Sequence, residues 1–439
     1  MTPTNTTQST VTSIEQLAEL SRARPVWLRV GQLFDGANVL RDADLVFDAQ
    51  RIRFVGHRGQ SPERRELVDG QNEPDLVLAS HTILPCLIEA HAHMFLDGAP
   101  IDAGVREQYL QQPAAWMLKR ARARWDAILQ TGVGAVRDAG DKHGVGLALA
   151  AEAKERLGEL ARTPWIDSPG AAIHHRGRYG AFMAEPLEYF VSWDECVAAR
   201  VAKGADRIKL LASGIINFQS GQVTTRPQMS AEEVRALVNA ALRHGRQTFA
   251  HASGTDGVEN AIEGGVTTVE HGFFITREQL AKMRDRSIGW VPTFAPVQLQ
   301  IDRAGELGWT DDVVGNLKRI IDGHRAMLRS AYELGVRVIA GSDAGSCGVP
   351  HGLGLIDELC QMEQAGLSAL EVLRSATGVS AAMLDFQERI GRIAPDYRAR
   401  FLLTEHDPLA SVANLRCGKT VIFDGAAVAC DGEMSADGL

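Results

Sequence analysis

Six side chains of metal-ligand type stand at or near the ends of short apolar runs. His91 and His93 flank Ala92 in LIEAHAH, Lys209 lies in RIKLL, His251 closes TFAH, His271 closes TTVEH, and Asp343 follows VIAGS. Residues two apart on a strand share a face, so the two imidazoles of His91 and His93 point the same way. Taken singly, each has a plainer reading. A lone histidine at a strand end is more often a core or loop residue, and Asp343 alone could cap a helix. Lys209 fits that plainer reading worst, because a buried lysine is costly unless it is paired or neutral. Five strand ends carrying such residues are hard to attribute to chance, and together they make a metal site. Imidazole with carboxylate suits zinc, with manganese, iron or nickel open.

The elements that must position these groups are visible as an alternation. Between about 82 and 389 the runs TILPCLIEAHAH, VGAVRDAGD, WIDSPGAAIHH, DRIKLLASG, TFAHASG, TTVEHGFF, GWVPTFAP and VRVIAGSDAG read as strands. Helical patterns such as SAEEVRALVNAALRHG and GHRAMLRSAYELG lie between them, each closing on a glycine. Eight strands with intervening helices predict an α/β fold, a (β/α)8 TIM barrel. A doubly wound open sheet shows similar alternation, but the count of eight and the polar residues at the carboxyl ends favour the barrel. Residues 25–81 and 390–430 carry short alternating runs punctuated by Gly and Asp, predicting one small β-sandwich built from both chain ends. Residues 1–24 read as a loose tail with a short helix over Ser13–Ala23, and 431–439 as a C-terminal tail.

With 46 basic and 55 acidic residues the net charge is −9, so neither a nucleic-acid nor an anionic-membrane partner is expected. No apolar stretch has the length of a membrane span, and the N-terminus lacks the pattern of a secretory signal. Six scattered cysteines without a CxxC pair read as reduced thiols in a cytoplasmic enzyme.

The motifs LPCLIEAHAHM, IKLLASG, FAHASG, VEHGFF and IAGSDAG resemble those of the amidohydrolase superfamily of metal-dependent hydrolases. The resemblance spans Trp27 to about Val428. The closing stretch from Gly348 to Phe386 is similar to the imidazolonepropionase-like and prolidase-like branch, which includes peptidases acting on C-terminal residues. The resemblance implies two divalent metals, with His91, His93 and Asp343 on the more buried ion and His251 and His271 on the other. Lys209, as its carbamate, would bridge them, and Asp343 would carry a proton from the attacking water to the leaving nitrogen. The nearby cations should keep its pKa low. It further implies a small-molecule amide substrate and a homo-oligomer. This chain departs from the family pattern at Cys86 and Glu89, where Gly and Asp are usual. Glu89 is expected to support the ligands, and Cys86 to be a buried apolar residue. A third departure is Met229, where some relatives carry an aromatic hydroxyl.

Substrate contacts are expected from the loops after the strands. His174, His175, Arg176, Arg178 and Tyr179 follow the third strand, where an arginine could grip a carboxylate. The alternative for Arg176 and Arg178 is a solvated charge paired with Glu185 or Glu188. Phe273, Phe274 and Phe294 are expected as apolar walls, Asn217, Phe218 and Gln219 as contacts from the loop after the fourth strand, and His351 as a loop-shaping residue. Three functions stand open at this point. One is hydrolysis of a linear amide in an N-acyl amino acid, a dipeptide, or a related carbamate or aryl urea, with a detoxifying role among the options. The second is a mononuclear cyclic amidohydrolase or deaminase, and the third a catalytically inactive scaffold.

Overall fold

A computed structural model describes residues 11–59, 66–156, 163–386, 389–416 and 418–430. Strands from the two chain ends meet in one seven-stranded sheet. From its C-terminal edge the order is Ala426–Cys430, Lys419–Phe423, Arg400–Thr404, Leu76–Pro85, Val26–Phe34, Val39–Phe47 and Ile52–His57. Both chain ends thus contribute strands to a single continuous sheet, where a small sandwich was expected. The T-shaped pair Phe47–Phe401, 5.1 Å between centroids, joins them in its core.

Two details of the boundaries differ from expectation. The run TILPCLIEAHAH is two strands, because Thr82–Pro85 pairs with Arg400–Thr404 in the seven-stranded sheet and a new strand starts at Leu87. Cys86, buried at the break, packs against Gly134, where a Cβ would come within 2.6 Å of the cysteine's own. The N-terminal segment is also less loose than its composition suggests. Ser13 caps a helix over Ile14–Leu20 whose Ile14, Leu17 and Ala18 enter the core of this sheet. Arg22 then donates through Nε to the carbonyl of Gly425 at 2.7 Å. The remainder of the expected tails, residues 1–10 and 431–439, lies outside the described residues.

The middle of the chain holds the parallel strands. Leu87–Ala92, Val133–Asp138 and Trp165–Asp167 form one sheet. Ala172–His174, Ile208–Leu211, Thr248–Ala252, Thr268–His271 and Gly289–Val291 are neighbours in a second, which also carries Ala184–Pro186 at its edge. Backbone hydrogen bonds link the two at both margins. Asp206 donates to Ser168 on one side. On the other, Ile339 donates to Trp290 and Ala90 to Ala340, so residues 338–340 lie between Gly289–Val291 and Leu87–Ala92. The expected runs follow in the expected order, but WIDSPGAAIHH is split into Trp165–Asp167 and Ala172–His174, and VRVIAGSDAG forms only isolated bridges, among them Trp290–Val338 and Ala92–Ala344, while the other six runs hold strands. Their residues are buried throughout, as parallel strands covered on both faces require.

Local sequence explains the helices between them. Ser230 with Glu233, and Thr276 with Gln279, form capping boxes at the starts of Ala231–Arg243 and Arg277–Asp285. The longest helix, Asp311–Leu334, ends on left-handed Gly335. No helix among the described residues is long and apolar enough to cross a membrane.

The buried helix Ile14–Leu20 yields a test. Leu17 is fully buried, so Leu17→Ala should lower unfolding free energy by about 2–4 kcal/mol. The shift is measured by chemical denaturation, and a change within the experimental error would show that this helix contributes nothing to the fold.

Candidate metal centre

The strands deliver the expected ligand types to one point. His91, His93 and Asp343 offer three ligand atoms that all lie within 4.8 Å of one another. Nε2 of His91 is 3.6 Å and Nε2 of His93 3.5 Å from Oδ1 of Asp343. The ring of His271 lies 4.9 Å from that of His91, and the ring of His251 lies 4.5 Å from that of His271. Lys209, His251 and His271 line the same pocket as the first three.

Each imidazole is fixed by a partner on its far side, which leaves one nitrogen toward the centre. His91 Nδ1 meets Glu270 Oε2 at 2.6 Å, and His93 Nδ1 meets the Gly140 carbonyl at 3.3 Å. His271 Nδ1 meets Thr293 Oγ1 at 2.8 Å, and His251 Nε2 meets the Gly214 carbonyl at 3.1 Å. The backbone is held in strained form at the same place. His271, Thr293 and Asp343 all have left-handed φ, of 65°, 51° and 56°, a conformation that costs on the order of 1–3 kcal/mol for a non-glycine residue. The Trp290 indole donates to the His271 carbonyl at 2.9 Å and keeps that turn in place. Gly341 is required where it stands, since a Cβ there would fall 2.9 Å from the His91 backbone nitrogen.

Burial also sets the protonation states. It pushes the His91 and His271 imidazoles well below their ordinary range, His93 down to about 3 and His251 to about 4, with the Lys209 charge adding to the effect. All four rings are thus neutral with a lone pair to give. Burial lowers Lys209 to about 8, so its amine is more readily neutral than an exposed lysine. Asp343 is raised by burial to about 7, against a hydrogen bond from Ser346 and the charges of Lys209 and Arg106. The protein alone therefore holds this carboxyl high, and the low pKa expected from the sequence is left to the bound cations to supply.

These residues fit a divalent cation. His91 Nε2 and Asp343 Oδ1 are both buried with no hydrogen-bond partner, a costly state that a cation at about 2.0–2.2 Å from each would relieve. Glu89 supports the pair as expected. Its Oε1 accepts the backbone N–H groups of His91 and Ser342, each at 2.9 Å, and its Oε2 accepts the Ser342 hydroxyl at 2.5 Å. His351 lies behind, its Nε2 3.1 Å from the His93 carbonyl, which matches a loop-shaping role.

The substrate-contact expectations fare differently. Tyr179 and Phe273 line the cavity of about 300 Å³ above the centre, and Phe218 joins them. His174, His175, Arg176, Arg178 and Phe294 do not. His175 is bridged between Glu188 and Glu233 at 2.7 and 3.1 Å, away from the pocket. Arg176 lies over the Tyr189 ring at 5.3 Å, and Arg178 donates to the Arg226 carbonyl. His174 is buried behind its strand, and Phe294 packs edge-on to His324, 4.7 Å away. The cation in the pocket is Arg106, on the helix Ala103–Leu110, which sequence reasoning missed. Met229 is buried outside the pocket, where the hydroxyl belongs to Tyr179. Burial raises the Tyr179 phenol, which stays protonated and able to donate.

Residues 82–428 match the model of the amidohydrolase family. The chain belongs to the amidohydrolase family. It is therefore a hydrolytic enzyme, and the expectation of an inactive scaffold falls away. It is 24% identical to ochratoxinase of Aspergillus niger, over 90% of this chain and 84% of that one. An imidazolonepropionase of Cereibacter sphaeroides is 26% identical over 49% of this chain and 60% of its own. The fold is shared with a Xaa-Pro dipeptidase whose crystal structure has methionine bound in the active site. That likeness has a TM-score of 0.74 at 24% identity and covers 92% of this chain and 100% of that one.

In this amidohydrolase the candidate ligand His91 depends on a buried ion pair. Glu270 Oε2, which meets His91 Nδ1, also accepts from Arg137 Nη2 at 2.7 Å. Glu270→Gln should leave the chain folded and weaken divalent-metal affinity tenfold to about a hundredfold, by loosening the hold on His91. Competition with a chromogenic chelator measures it. Unchanged affinity would show that Glu270 serves only Arg137.

Proposed function

We propose that this chain hydrolyses a linear amide C–N bond, in an N-acyl amino acid, a dipeptide, or a related carbamate or aryl urea. The eight parallel segments are read as a (β/α)8 barrel whose mouth holds a binuclear divalent-metal centre, best suited to zinc. The observation that supports this reading most is the pair of buried, unpartnered ligand atoms, His91 Nε2 and Asp343 Oδ1, with His93 Nε2 beside them. His91, His93 and Asp343 would hold one ion, His251 and His271 the other, and Lys209, carbamylated, would join the two. Ions bound there would activate water and polarise the scissile carbonyl.

The remaining work falls to the chain's own groups. Asp343 accepts the proton of the attacking water and returns it to the leaving nitrogen. Burial drives its carboxyl up and cations drive it down, so it can both take and release a proton near neutral pH. Tyr179 offers a protonated phenol to the substrate carbonyl, in place of the donor that Met229 cannot supply. The apolar walls exclude water from these groups and strengthen their interactions. A mononuclear enzyme acting on a cyclic amide is the second reading. It is favoured by the single group, among the described residues, of three residues within ligand distance.

Elemental analysis of protein purified without chelator, alongside hydrolysis of a panel of linear and cyclic amides, tests the choice. Two metals per chain with linear-amide turnover is expected. One metal with cyclic-amide turnover favours the second reading, and no metal even after reconstitution overturns both. Asp343→Asn should remain folded and lose turnover by about 10²–10⁴, and near-normal kcat would remove the proton-carrying role. Lys209→Ala should lose a metal and nearly all activity, with partial recovery in added short-chain carboxylate. Two metals and normal turnover without such an additive would end the carbamate assignment.

A further inference from the structure

Arg106 is the one charged side chain lining the pocket, among the described residues, that is not a candidate metal ligand. Its guanidinium is anchored without being neutralised. Nη1 donates to the Asp97 carbonyl and Nη2 to the Gly345 carbonyl, both at 3.2 Å. Of the acids near it in sequence, Asp102 caps the helix by accepting the Val105 N–H at 2.9 Å, Asp97 turns its carboxylate to Arg120 at 3.8 Å and the Ala99 N–H at 3.2 Å, and neither they nor Glu107 form an ion pair with Arg106 among the described residues. A guanidinium has five N–H donors in a planar fork, so three remain after these two bonds. The surrounding wall is apolar, with Leu96, Phe182, Met183, Ile216 and Val297 facing the same space. A half-exposed guanidinium beside such a wall keeps its remaining donors available to an incoming anion.

Position decides which anion. Gly345, to which Arg106 is tied, stands two residues after Asp343, the group that returns a proton to the leaving nitrogen in the reading above. An anion on this fork therefore belongs to the amine side of the scissile bond. One arginine with three free donors matches one carboxylate better than a phosphate, which carries more charge and more acceptors. We propose that Arg106 holds the α-carboxylate of the leaving amino acid, so that the substrates are N-acylated α-amino acids with apolar side chains. This rests on the hydrolase reading and narrows it, since carbamates and aryl ureas without a carboxylate leave the fork empty.

The test uses metal-loaded enzyme and matched substrates, N-acyl-L-phenylalanines and the same compounds capped as C-terminal carboxamides. Wild type should prefer the free acid in kcat/KM by tens-fold, the scale of a charge-assisted bidentate contact. Arg106→Met should erase that preference through KM and leave the capped amides almost untouched, whereas Arg106→Lys should keep part of it. Because Arg106 also ties two loops together, equal losses on both substrates would mean a structural role and overturn the proposal. So would parity between acid and carboxamide in wild type, with the hydrolase reading left standing. If the loaded enzyme cleaves no C–N bond at all, that reading fails instead. Calorimetric binding of N-acetyl-L-phenylalanine to wild type and to Arg106→Met then still judges the residue. Tens-fold weaker binding to the variant supports the carboxylate site, and equal binding sinks it.

Discussion

The charged pair of Arg137 and Glu270 lies wholly out of water beneath the clustered histidines, and much of the interior is arranged around keeping it satisfied. Arg137 donates to the Ala90 carbonyl, the Thr268 hydroxyl and the Glu270 carboxylate, so one guanidinium on the second parallel strand reaches the first and the sixth. Its face also covers Phe249 on the fifth, 4.3 Å from the ring centroid, and Lys209 approaches the same ring at 4.7 Å. Two desolvated charges are tolerated only where nearly every donor and acceptor is used. The arrangement that meets this demand also fixes the tautomer of His91. At Lys209 the two charges oppose each other, Glu270 raising and Arg137 lowering the amine, and burial is what depresses it.

How far the site could be read from the chain follows from where its residues sit. His91, His93, His251, His271 and Asp343 stand out because an apolar strand makes any polar residue conspicuous, and the four histidines stay buried even at the strand ends. Arg106 has no such background. An arginine on a half-exposed helix is ordinary, and its place in the pocket comes from two backbone carbonyls that have no side-chain signature. Arg176 and Arg178 mislead for the converse reason. Their loop has the composition of a binding loop, but His175 is held by Glu188 and Glu233, and Arg178 by a carbonyl 48 residues away. The run through Pro85 and Cys86 reads as one strand because both halves are apolar. Only its pairing partners, hundreds of residues further on, divide it.

The pocket has apolar walls, and its polar groups are differently placed. Neutral imidazoles and Asp343 lie at the floor, the Tyr179 phenol at one side, and Arg106 beside the turn that carries Asp343. Such a division sets the candidate ligands among apolar walls, with a cation anchored beside them on the turn that carries Asp343. The left-handed turns at His271, Thr293 and Asp343 belong to the same design, since strained backbone at a strand end aims a side chain where a relaxed strand would not.

The joining of the chain ends also bears on how the molecule is made. Strand Leu76–Pro85 has its antiparallel neighbour at Arg400–Thr404, and Arg22 bonds to Gly425 across 403 residues of sequence. A ribosome adding about 5–20 residues per second leaves the first partner waiting roughly 20–80 seconds for the second. Throughout that interval one edge of the growing sheet stays unpaired and prone to join another chain. The parallel strands between can assemble as they emerge, but the sheet closes only when the last strands are released. Yield in a fast heterologous host should therefore depend on how that open edge is shielded during synthesis.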